Sequence, residues 1–309
     1  MGRMTSTKVV PSSELAAESP PPAPDRLSAL LQRFRVRASL FHAGPLCGVT
    51  TFEARPGRAF LHVLRRGAME VQQPGARGRT RRLRVDEPTL LLYPRPLRHR
   101  FVNPPQDGSD LTCAALDFDG GERNPIVAAL PDLVRVPLAE VDGLQPALDL
   151  LFAETDHPRC GSRLLADRLF EVVLIQLLRW IIDHAAQAGI GSGLIAGLAD
   201  ARLARALVAL HGAPQEEWSL ARMAATAGMS RSAFAEAFRT ATGSTPAAYL
   251  ADWRLTLATS LLRAGRPLKL IAAELGYAGA PSLSKAFRQR LGQSPREWVR
   301  AGTAGEAGT

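Results

Sequence analysis

Two histidines and one cysteine of this 309-residue chain could together bind a soft metal ion. They are His62, His99 and Cys113. Imidazole and thiolate ligands suit zinc or copper, whereas an exposed thiol of low pKa would suit the sensing of oxidants. No two of the three stand at the short spacing that is typical of metal ligands. We therefore favour the interpretation that the two histidines line a cavity and that the cysteine is a small buried side chain. A zinc or copper site is the alternative.

Arginine supplies a second chemistry, the binding of anions. Of the 38 lysine and arginine residues 35 are arginine, and the formal net charge is +9. Residues 55–100 hold 12 arginines and only three acidic residues, Glu70, Asp86 and Glu87. A solvated strand face explains this segment, and an anionic effector pocket is the alternative. Over the whole chain, the surplus favours an anionic partner, most often nucleic acid.

The composition argues against a membrane-spanning protein and against a disulfide framework. With 46% hydrophobic and 22% charged residues, the chain has enough apolar mass for two domains. It contains no run of about 18 apolar residues and no N-terminal signal segment. Cys47, Cys113 and Cys160 cannot all pair and are widely spaced, which favours a reducing compartment. We therefore expect a cytoplasmic protein.

The first half of the chain contains short apolar runs of strand length, separated by Gly, Pro and Arg. The runs are residues 60–64, 89–93 and 111–116. They predict an antiparallel barrel or sandwich, although each run taken alone could be helical. Beyond Pro125 the pattern becomes helical, at residues 144–152 and 164–186. The longer helix is apolar on most sides, so it packs within its own domain or forms a dimer contact.

The second half of the chain contains an internal repeat. Met223-Ala224-Ala225 recurs 48 residues later as Ile271-Ala272-Ala273. One residue is added after this segment, so that Phe238 recurs 49 residues later as Phe287. A duplication this regular predicts two copies of one structural unit, bridged by a helix over residues 248–262.

Each copy of the repeat predicts a helix-turn-helix. Gly228 and Gly276 stand where the first helix must end and the chain must reverse, which is the position that glycine fills best. Ser230 can accept hydrogen bonds from the free N–H groups of the next helix in the first copy. In the second copy, Pro281 suits a first helical turn because its missing N–H costs nothing there.

The second helix of each copy must direct its polar residues outward. Phe234 with Phe238, and likewise Leu283 with Phe287, are four residues apart and hold that helix to the core. The outward residues are Arg231, Ser232, Ala235, Glu236 and Arg239 in the first copy, and Ala280, Ser282, Lys285, Arg288 and Gln289 in the second. A hairpin that only packs is the alternative, but two copies with 14 basic and 8 acidic residues from Asp200 onward favour nucleic-acid binding.

The repeat resembles the double-motif domain of the AraC/XylS family of bacterial transcription regulators. The resemblance covers residues 218–300. Its motifs include Gly-Met-Ser at 228–230, Pro-Ala-Ala-Tyr-Leu at 246–250 and Gly-Gln-Ser-Pro at 292–295. It implies two recognition helices that enter successive major-groove faces on one side of the duplex, about 10 base pairs apart.

By position, the resemblance also implies which residues contact base edges. They are Ser232, Ala235 and Glu236, then Ala280, Pro281, Ser282 and Lys285. Ala235 offers only a methyl group, which can contact a thymine. Glu236 could accept a hydrogen bond from a cytosine amino group, or instead pair with an arginine of its own helix. Pro281 cannot recognise polarity, so direct readout by the second helix would rest mainly on Ser282 and Lys285.

Residues 25–180 resemble the cupin-like sensing domain of many such regulators. The matching pieces include residues 60–67, 90–95 and the segment 94–103 around His99. The resemblance implies that His62 and His99 face one cavity, with Cys113 on a neighbouring strand. Metal-dependent cupin enzymes need a further histidine where this chain has Phe60. A catalytic iron or manganese site is therefore not expected.

We thus expect an α+β multidomain chain. A cupin-like β-barrel with a helical extension is followed by an all-α, homeodomain-like double helix-turn-helix domain. The expected boundaries are a disordered leader at 1–24, a sensing domain at 25–120, a helical extension with a dimer contact at 121–188, a linker at 189–199, a DNA-binding domain at 200–302 and a disordered tail at 303–309.

The expected function is that of a sequence-specific, DNA-binding transcription regulator and not an enzyme. Promoter DNA, an unidentified small-molecule, metal or oxidant effector, RNA polymerase and a second copy of the chain are the expected partners. A metal-binding cupin enzyme with a helical tail and a non-specific architectural DNA binder are the alternatives. Activation and repression are not distinguished, because they depend on where the DNA site lies relative to the promoter.

Overall fold

The structure, a computed structural model, describes residues 24–75, 78–106 and 108–306. The predicted disordered leader lies outside these residues except for Pro24. Residues 307–309 of the predicted tail also lie outside them.

The N-terminal part is a barrel of two antiparallel sheets. Its described strands are β1 (Val36–Leu46), β2 (Val49–Phe52), β3 (Arg58–Arg66), β4 (Met69–Pro74), β5 (Thr80–Val85), β6 (Thr89–Tyr93), β7 (His99–Val102), β8 (Ser109–Phe118) and β9 (Val134–Pro137). One sheet has the strand order β1-β8-β3-β6-β9, and the other has the order β2-β7-β4-β5. The predicted barrel of short strands is thereby confirmed.

The larger sheet is buried on both faces, which explains its continuous apolar runs. Along β3, Leu61 and Val63 face the helices, whereas Phe60 and Leu64 face the smaller sheet inside the barrel. Residues 111–116 of β8 divide between the two faces in the same way. A strand covered on both sides has no polar alternation, and its pattern by itself cannot be distinguished from that of a buried helix.

Twelve α-helices are described. They flank the barrel in the N-terminal part and then form the C-terminal part. They are α1 (Ser28–Arg33), α2 (Pro125–Ala129), α3 (Gln145–Asp156), α4 (Ser162–Asp183), α5 (Leu194–Ala199), α6 (Ala201–Gly212), α7 (Leu220–Ala227), α8 (Arg231–Thr242), α9 (Pro246–Arg263), α10 (Leu268–Glu274), α11 (Ala280–Leu291) and α12 (Pro295–Glu306). α3 and α4 pack together and against β1. Among the described helices, none is both long and apolar enough to cross a membrane.

The segment between the two parts is more ordered than its glycines suggest. Gly189–Gly193 connects α4 to α5 without helix, but residues 194–199 of the expected linker form α5. Ile195 and Leu198 are fully buried, and α5 packs against α4, α6 and α8. Phe34 at the end of α1 also meets Trp253 of α9 edge-on, with ring centroids 5.6 Å apart. One apolar core therefore continues from the barrel side into the C-terminal helices.

The C-terminal end differs from the expected tail. α12 continues to Glu306 and so extends into the segment 303–309 that the sequence marks as disordered. Trp298, which is buried, fixes the first turns of this helix. Adding residues to an established helix costs little free energy, because each further residue gains one hydrogen bond.

The repeat folds as two helix-turn-helix units, α7–α8 and α10–α11, bridged by α9. Gly228 ends α7 at a φ of +68°, and the Ser230 side chain accepts a hydrogen bond from the N–H of Ala233 at 3.3 Å. In the second unit, Gly276 has a φ of +74° and Pro281 lies in the first turn of α11. The two different helix starts predicted for the two copies are confirmed.

One contact joins the two units. The backbone of residues 214–216, in the loop before α7, accepts hydrogen bonds from the Arg254 guanidinium of α9: 2.7 Å from Nε to the Pro214 oxygen and 3.0 Å from Nη2 to the Glu216 oxygen. On its other side, the same loop lies against the turn at Gly276. A Cβ atom at Gly276 would lie 2.3 Å from the carbonyl oxygen of Gln215. We call this contact the inter-unit clasp.

Replacing Gly276 by alanine should therefore destabilise the C-terminal part by more than about 3 kcal/mol. The new methyl group would collide with the Gln215 backbone, in addition to the strain of a positive φ. Urea denaturation measures the loss. Gly292→Ala is the matched control, because Gly292 has a φ of +72° and nothing within 4 Å of the added Cβ. It should cost only about 1–2 kcal/mol. Equal losses in the two variants would show that the close approach is not a constraint.

Candidate nucleic-acid interface and the interior of the sensing barrel

The second helix of the first unit, α8, presents a polar face to solvent. Arg231, Ser232, Glu236 and Arg239 are exposed, and Ala235 is half-buried. The face is fixed from behind by Phe234 and Phe238, which are fully buried with ring centroids 5.3 Å apart. Burial of one such side chain contributes about 1.5–3 kcal/mol, so the rotation of the helix about its axis is strongly determined.

The second helix of the other unit, α11, presents the equivalent face. Pro281, Ser282, Lys285 and Arg288 are exposed, and Ala280 is half-buried. Leu283 and Phe287 are buried, as their counterparts are in α8. Among the described residues, those of the N-terminal part cover neither exposed set.

Ser284 belongs to this face as well, although it is not among the predicted outward residues. The offset of 49 residues that pairs Phe238 with Phe287 also pairs Ala235 with Ser284, which is half-buried on α11. Ser284 adds a hydroxyl group where the first unit has only a methyl group. The repeat offset alone would have identified it.

The charged side chains of the two faces form no ion pairs with the part of the chain that the structure describes. Within the described residues, Glu236 forms no ion pair with Arg231 or Arg239, so the proposed pairing with an arginine of its own helix is wrong. Lys285 and Arg288 likewise form no ion pair among these residues. Other arginines nearby are paired, such as Arg290 with Asp252 at 2.8 Å. The outward faces of α8 and α11 thus carry charged side chains that form no ion pair among the described residues.

Inside the barrel, the side chains of His62 and His99 form a hydrogen bond with each other and do not line a solvent-filled cavity. Their Nε2 atoms are 3.0 Å apart, and His99 Nδ1 lies 2.8 Å from the carbonyl oxygen of Leu97. Since a carbonyl can only accept, His99 Nδ1 carries the hydrogen, its Nε2 accepts, and His62 Nε2 donates. His62 Nδ1 is then a buried acceptor without a partner.

Aromatic rings fill the rest of the interior. The ring of His99 stacks on Tyr93, with centroids 3.8 Å apart, and on Phe52 at 4.9 Å. Phe60 stacks on His62 at 5.7 Å. The cavity that the cupin resemblance implies between the two histidines is therefore occupied by the chain itself.

The three candidate metal ligands do not fit a zinc or copper ion. Among the described residues, no group of three or more His, Cys, Asp or Glu could hold a metal. Cys113 is opposite His62 in the β3–β8 register. Burial raises the pKa of its thiol, so that little of the thiolate is present. The thiolate is the form that binds a metal or reacts with an oxidant. The Nε2 atom of each histidine is already engaged in the hydrogen bond to the other histidine. The zinc or copper alternative is therefore not supported, and neither is an oxidant-sensing role for Cys113.

Comparison with known proteins places both parts of the chain. A cupin family model matches residues 25–183, and a helix-turn-helix domain model matches residues 223–301. A putative AraC-like transcription regulator of Streptomyces lividans is 32% identical over 309 aligned residues, covering 90% of this chain and 97% of that protein. The chain belongs to the AraC-like transcription regulators.

Two further matches concern parts of this AraC-like chain. A putative AraC-like transcription regulator of Streptomyces antibioticus is 38% identical over 172 residues, which span 55% of the chain and 56% of that protein. The solved DNA-binding domain of AdpA, a global transcriptional factor in complex with a target DNA, is 30% identical. That match covers 33% of this chain and 92% of the other, with a TM-score of 0.31.

The histidine pair makes the stability of this AraC-like protein depend on acid. Burial lowers the pKa of His99 to about 4 and that of His62 well below its usual value. The unfolded chain therefore binds more protons than the folded chain below pH 6.5. The free energy of unfolding should be fully present above that pH and should fall by about 1.4 kcal/mol per pH unit for His99 between pH 6.5 and 4.

Urea denaturation at a series of pH values measures this slope. The His99→Asn variant retains a donor for the Leu97 carbonyl but cannot titrate, so its profile should be flatter than that of the wild type. His157→Asn is the control, because His157 is exposed, and its slope should equal the wild-type slope. A His99→Asn profile as steep as the wild type would contradict the assignment.

Proposed function

We propose that this chain binds promoter DNA as a sequence-specific regulator, with α8 and α11 as its two recognition helices. The observation that carries the proposal is the pair of exposed polar faces, whose charged side chains form no ion pair among the described residues. Uncompensated cations on a helix-turn-helix suit phosphate contact, and side chains at the centre of the face suit base edges. Because promoters lie in the cytoplasm of bacteria, we place the regulator there.

The two helices divide these roles among their residues. Arg231 and Arg239 of α8, and Arg288 of α11, carry the charges for phosphate contact. The residues that contact base edges are Ser232, Ala235 and Glu236 of α8, and Ala280, Pro281, Ser282, Ser284 and Lys285 of α11. Glu236 accepts from a cytosine amino group, and Lys285 donates to the acceptors of guanine. Because the inter-unit clasp fixes α8 relative to α11, the two contacted segments stand at one spacing, about 10 base pairs.

A non-specific architectural binder remains the second candidate, and selection from a random DNA pool separates it from the regulator. We expect enrichment of two sequence blocks about one helical turn apart by the purified protein at near-physiological salt. An unchanged pool would favour the architectural binder. A single enriched block would show that α11 contacts only the DNA backbone.

Glu236→Gln should change the base preference at one position of the first block. Loss of the carboxylate acceptor removes about 1–3 kcal/mol of discrimination in favour of its cytosine. Affinity for the selected site and for its single-base variants, measured by fluorescence anisotropy, gives the result. Glu217→Gln is the matched control: it removes the same charge from an exposed residue outside α8 and should leave the preference unchanged. A preference that is identical in all three proteins would exclude Glu236 from base readout.

We also propose that α4 forms the contact between two copies of the chain. Leu164 and Val172 lie on one stripe of α4, with Arg168 between them, and expose 63% and 43% of their surfaces. Leu150 of α3 adds a further exposed apolar side chain to the same helical pair. A self-complementary helix face is the usual basis of a two-fold dimer.

Val172→Glu should convert the dimer into a monomer, because the contact would then have to take a carboxylate out of water and place it among apolar side chains. Sedimentation velocity measures the assembly state. Leu270→Glu, which alters an apolar side chain of α10 that is 52% exposed, should leave the dimer intact. A wild-type protein that sediments as a monomer at micromolar concentration would refute the contact.

The sensing part is proposed to bind an effector that shifts the population of DNA-binding arrangements. RNA polymerase is the further partner proposed for activation. The relatives found are transcription regulators, which supports a non-enzymatic role. Because side chains fill the barrel interior, we infer that the effector binds on an outer surface of the barrel part.

A further inference from the structure

The outer face of the smaller sheet gathers the arginines that the sequence concentrates between residues 55 and 100. Alternation along β7 places His99 and Phe101 inside the barrel and Arg100 on the opposite face, beside its register neighbour Gln72 of β4. β5 is the edge strand next to β4. The arginines on or beside these strands are Arg79, Arg81, Arg82, Arg84, Arg98 and Arg100. Arg81 is the exception to the outer face, because it is opposite Gln73, whose side chain accepts a hydrogen bond from Tyr93 inside the barrel.

Carboxylates of the chain neutralise only half of this set. The ion pairs are Arg98 with Glu53 at 3.2 Å, Arg82 with Glu70 at 3.5 Å and Arg84 with Asp86 at 3.4 Å. Among the described residues, Arg79, Arg81 and Arg100 have no carboxylate partner. Like charges that lie close together raise the free energy of the folded state unless an external anion binds between them.

A cavity of about 230 Å³ lies within this group, lined mainly by Arg79, Arg98, Arg100, Thr80 and Gln72. Arg100 is half-buried, and its Nε is shielded from solvent without a hydrogen-bond partner. An N–H of a cation that has lost water and found no acceptor is costly. The cavity thus presents three guanidinium groups, and two of them, those of Arg79 and Arg100, have no carboxylate partner among the described residues.

We propose that this cavity, here named the arginine cavity, binds a compact organic anion with two or more negative charges. Its oxygens belong to carboxylate or phosphate groups, which the planar guanidinium fork binds in a bidentate way. The volume equals roughly seven or eight water molecules at about 30 Å³ each, which suits a small phosphate ester or a tricarboxylate. Because Arg100 is half-buried and lines a cavity of about 230 Å³, the geometry favours a small anion over the DNA backbone. This proposal concerns binding and does not rest on the DNA-binding function.

Thermal unfolding of the full-length protein tests the proposal. Pyrophosphate and citrate serve as probes of the phosphate and carboxylate sources, each at constant ionic strength adjusted with sodium chloride. At 100 times its dissociation constant, a bound probe should raise Tm by roughly 5 °C. The probe that gives the larger saturable rise identifies the source.

Variants locate the binding. Arg100→Gln should abolish the rise in Tm, and Arg79→Gln should reduce it. Because Arg79 is exposed, its replacement leaves the fold intact even if Arg100→Gln does not fold. Arg84→Gln is the matched control: it removes the same charge from the same sheet, but its guanidinium pairs with Asp86 and does not line the cavity. It should retain the full rise.

Two kinds of result would overturn the proposal. An absent rise with both probes, or an equal rise in the wild type, Arg79→Gln and Arg100→Gln, would place no specific anion in the cavity. The second kind concerns DNA. Arg100→Gln should leave DNA affinity and its salt dependence unchanged. Weaker binding to every sequence, with a slope of log K against log salt reduced by about one, would instead assign the arginines to the DNA backbone.

Discussion

The geometry of the C-terminal part depends on the loop of residues 214–216, which is held between Arg254 and the turn at Gly276. The loop belongs to the first helix-turn-helix unit, Arg254 to the bridging helix and Gly276 to the second unit. Burial of the guanidinium lowers the pKa of Arg254, a cost that is offset by its hydrogen bonds to two backbone carbonyls. The bridging helix α9 packs against α8, α10 and α11. This contact adds a direct link between the loop of the first unit and the turn of the second, so that α8 and α11 have a defined separation.

The sensing part shows a different balance between packing and binding. Its interior histidines, His62 and His99, fill space together with Phe52, Phe60 and Tyr93. The cost is one orphaned acceptor on His62. The interior side chains thus stabilise the barrel. The same alternation along β7 that buries His99 leaves Arg100 on the outer face of the sheet. Recognition and packing are thus assigned to opposite faces of one strand.

The sequence was sufficient wherever short-range patterns decide the structure. The repeat offset, the glycines at 228 and 276 and the apolar pairs of α8 and α11 predicted both units and their outward faces. It was insufficient where side chains distant in sequence meet. Phe52 and His99 come from different strands, so their stacking inside the barrel has no local signal. The helix at 194–199 forms because Ile195 and Leu198 find a buried site, which its flanking glycines do not reveal. Neither the lone carboxylate of Glu236 nor the unpaired guanidinium of Arg100 follows from composition, because pairing depends on geometry.

The repeat is symmetric in its core but not in its charge. Glu236 and Lys285 occupy the same place in the two units, separated by the offset of 49 residues, and both are exposed. One is a pure acceptor and the other a pure donor. In the proposed complex, turning the protein end for end on its site would bring the carboxylate to the base that suits the ammonium group, and the reverse. On that proposal a single chain has a front and a back on the duplex, and it marks a direction along a promoter as well as a position.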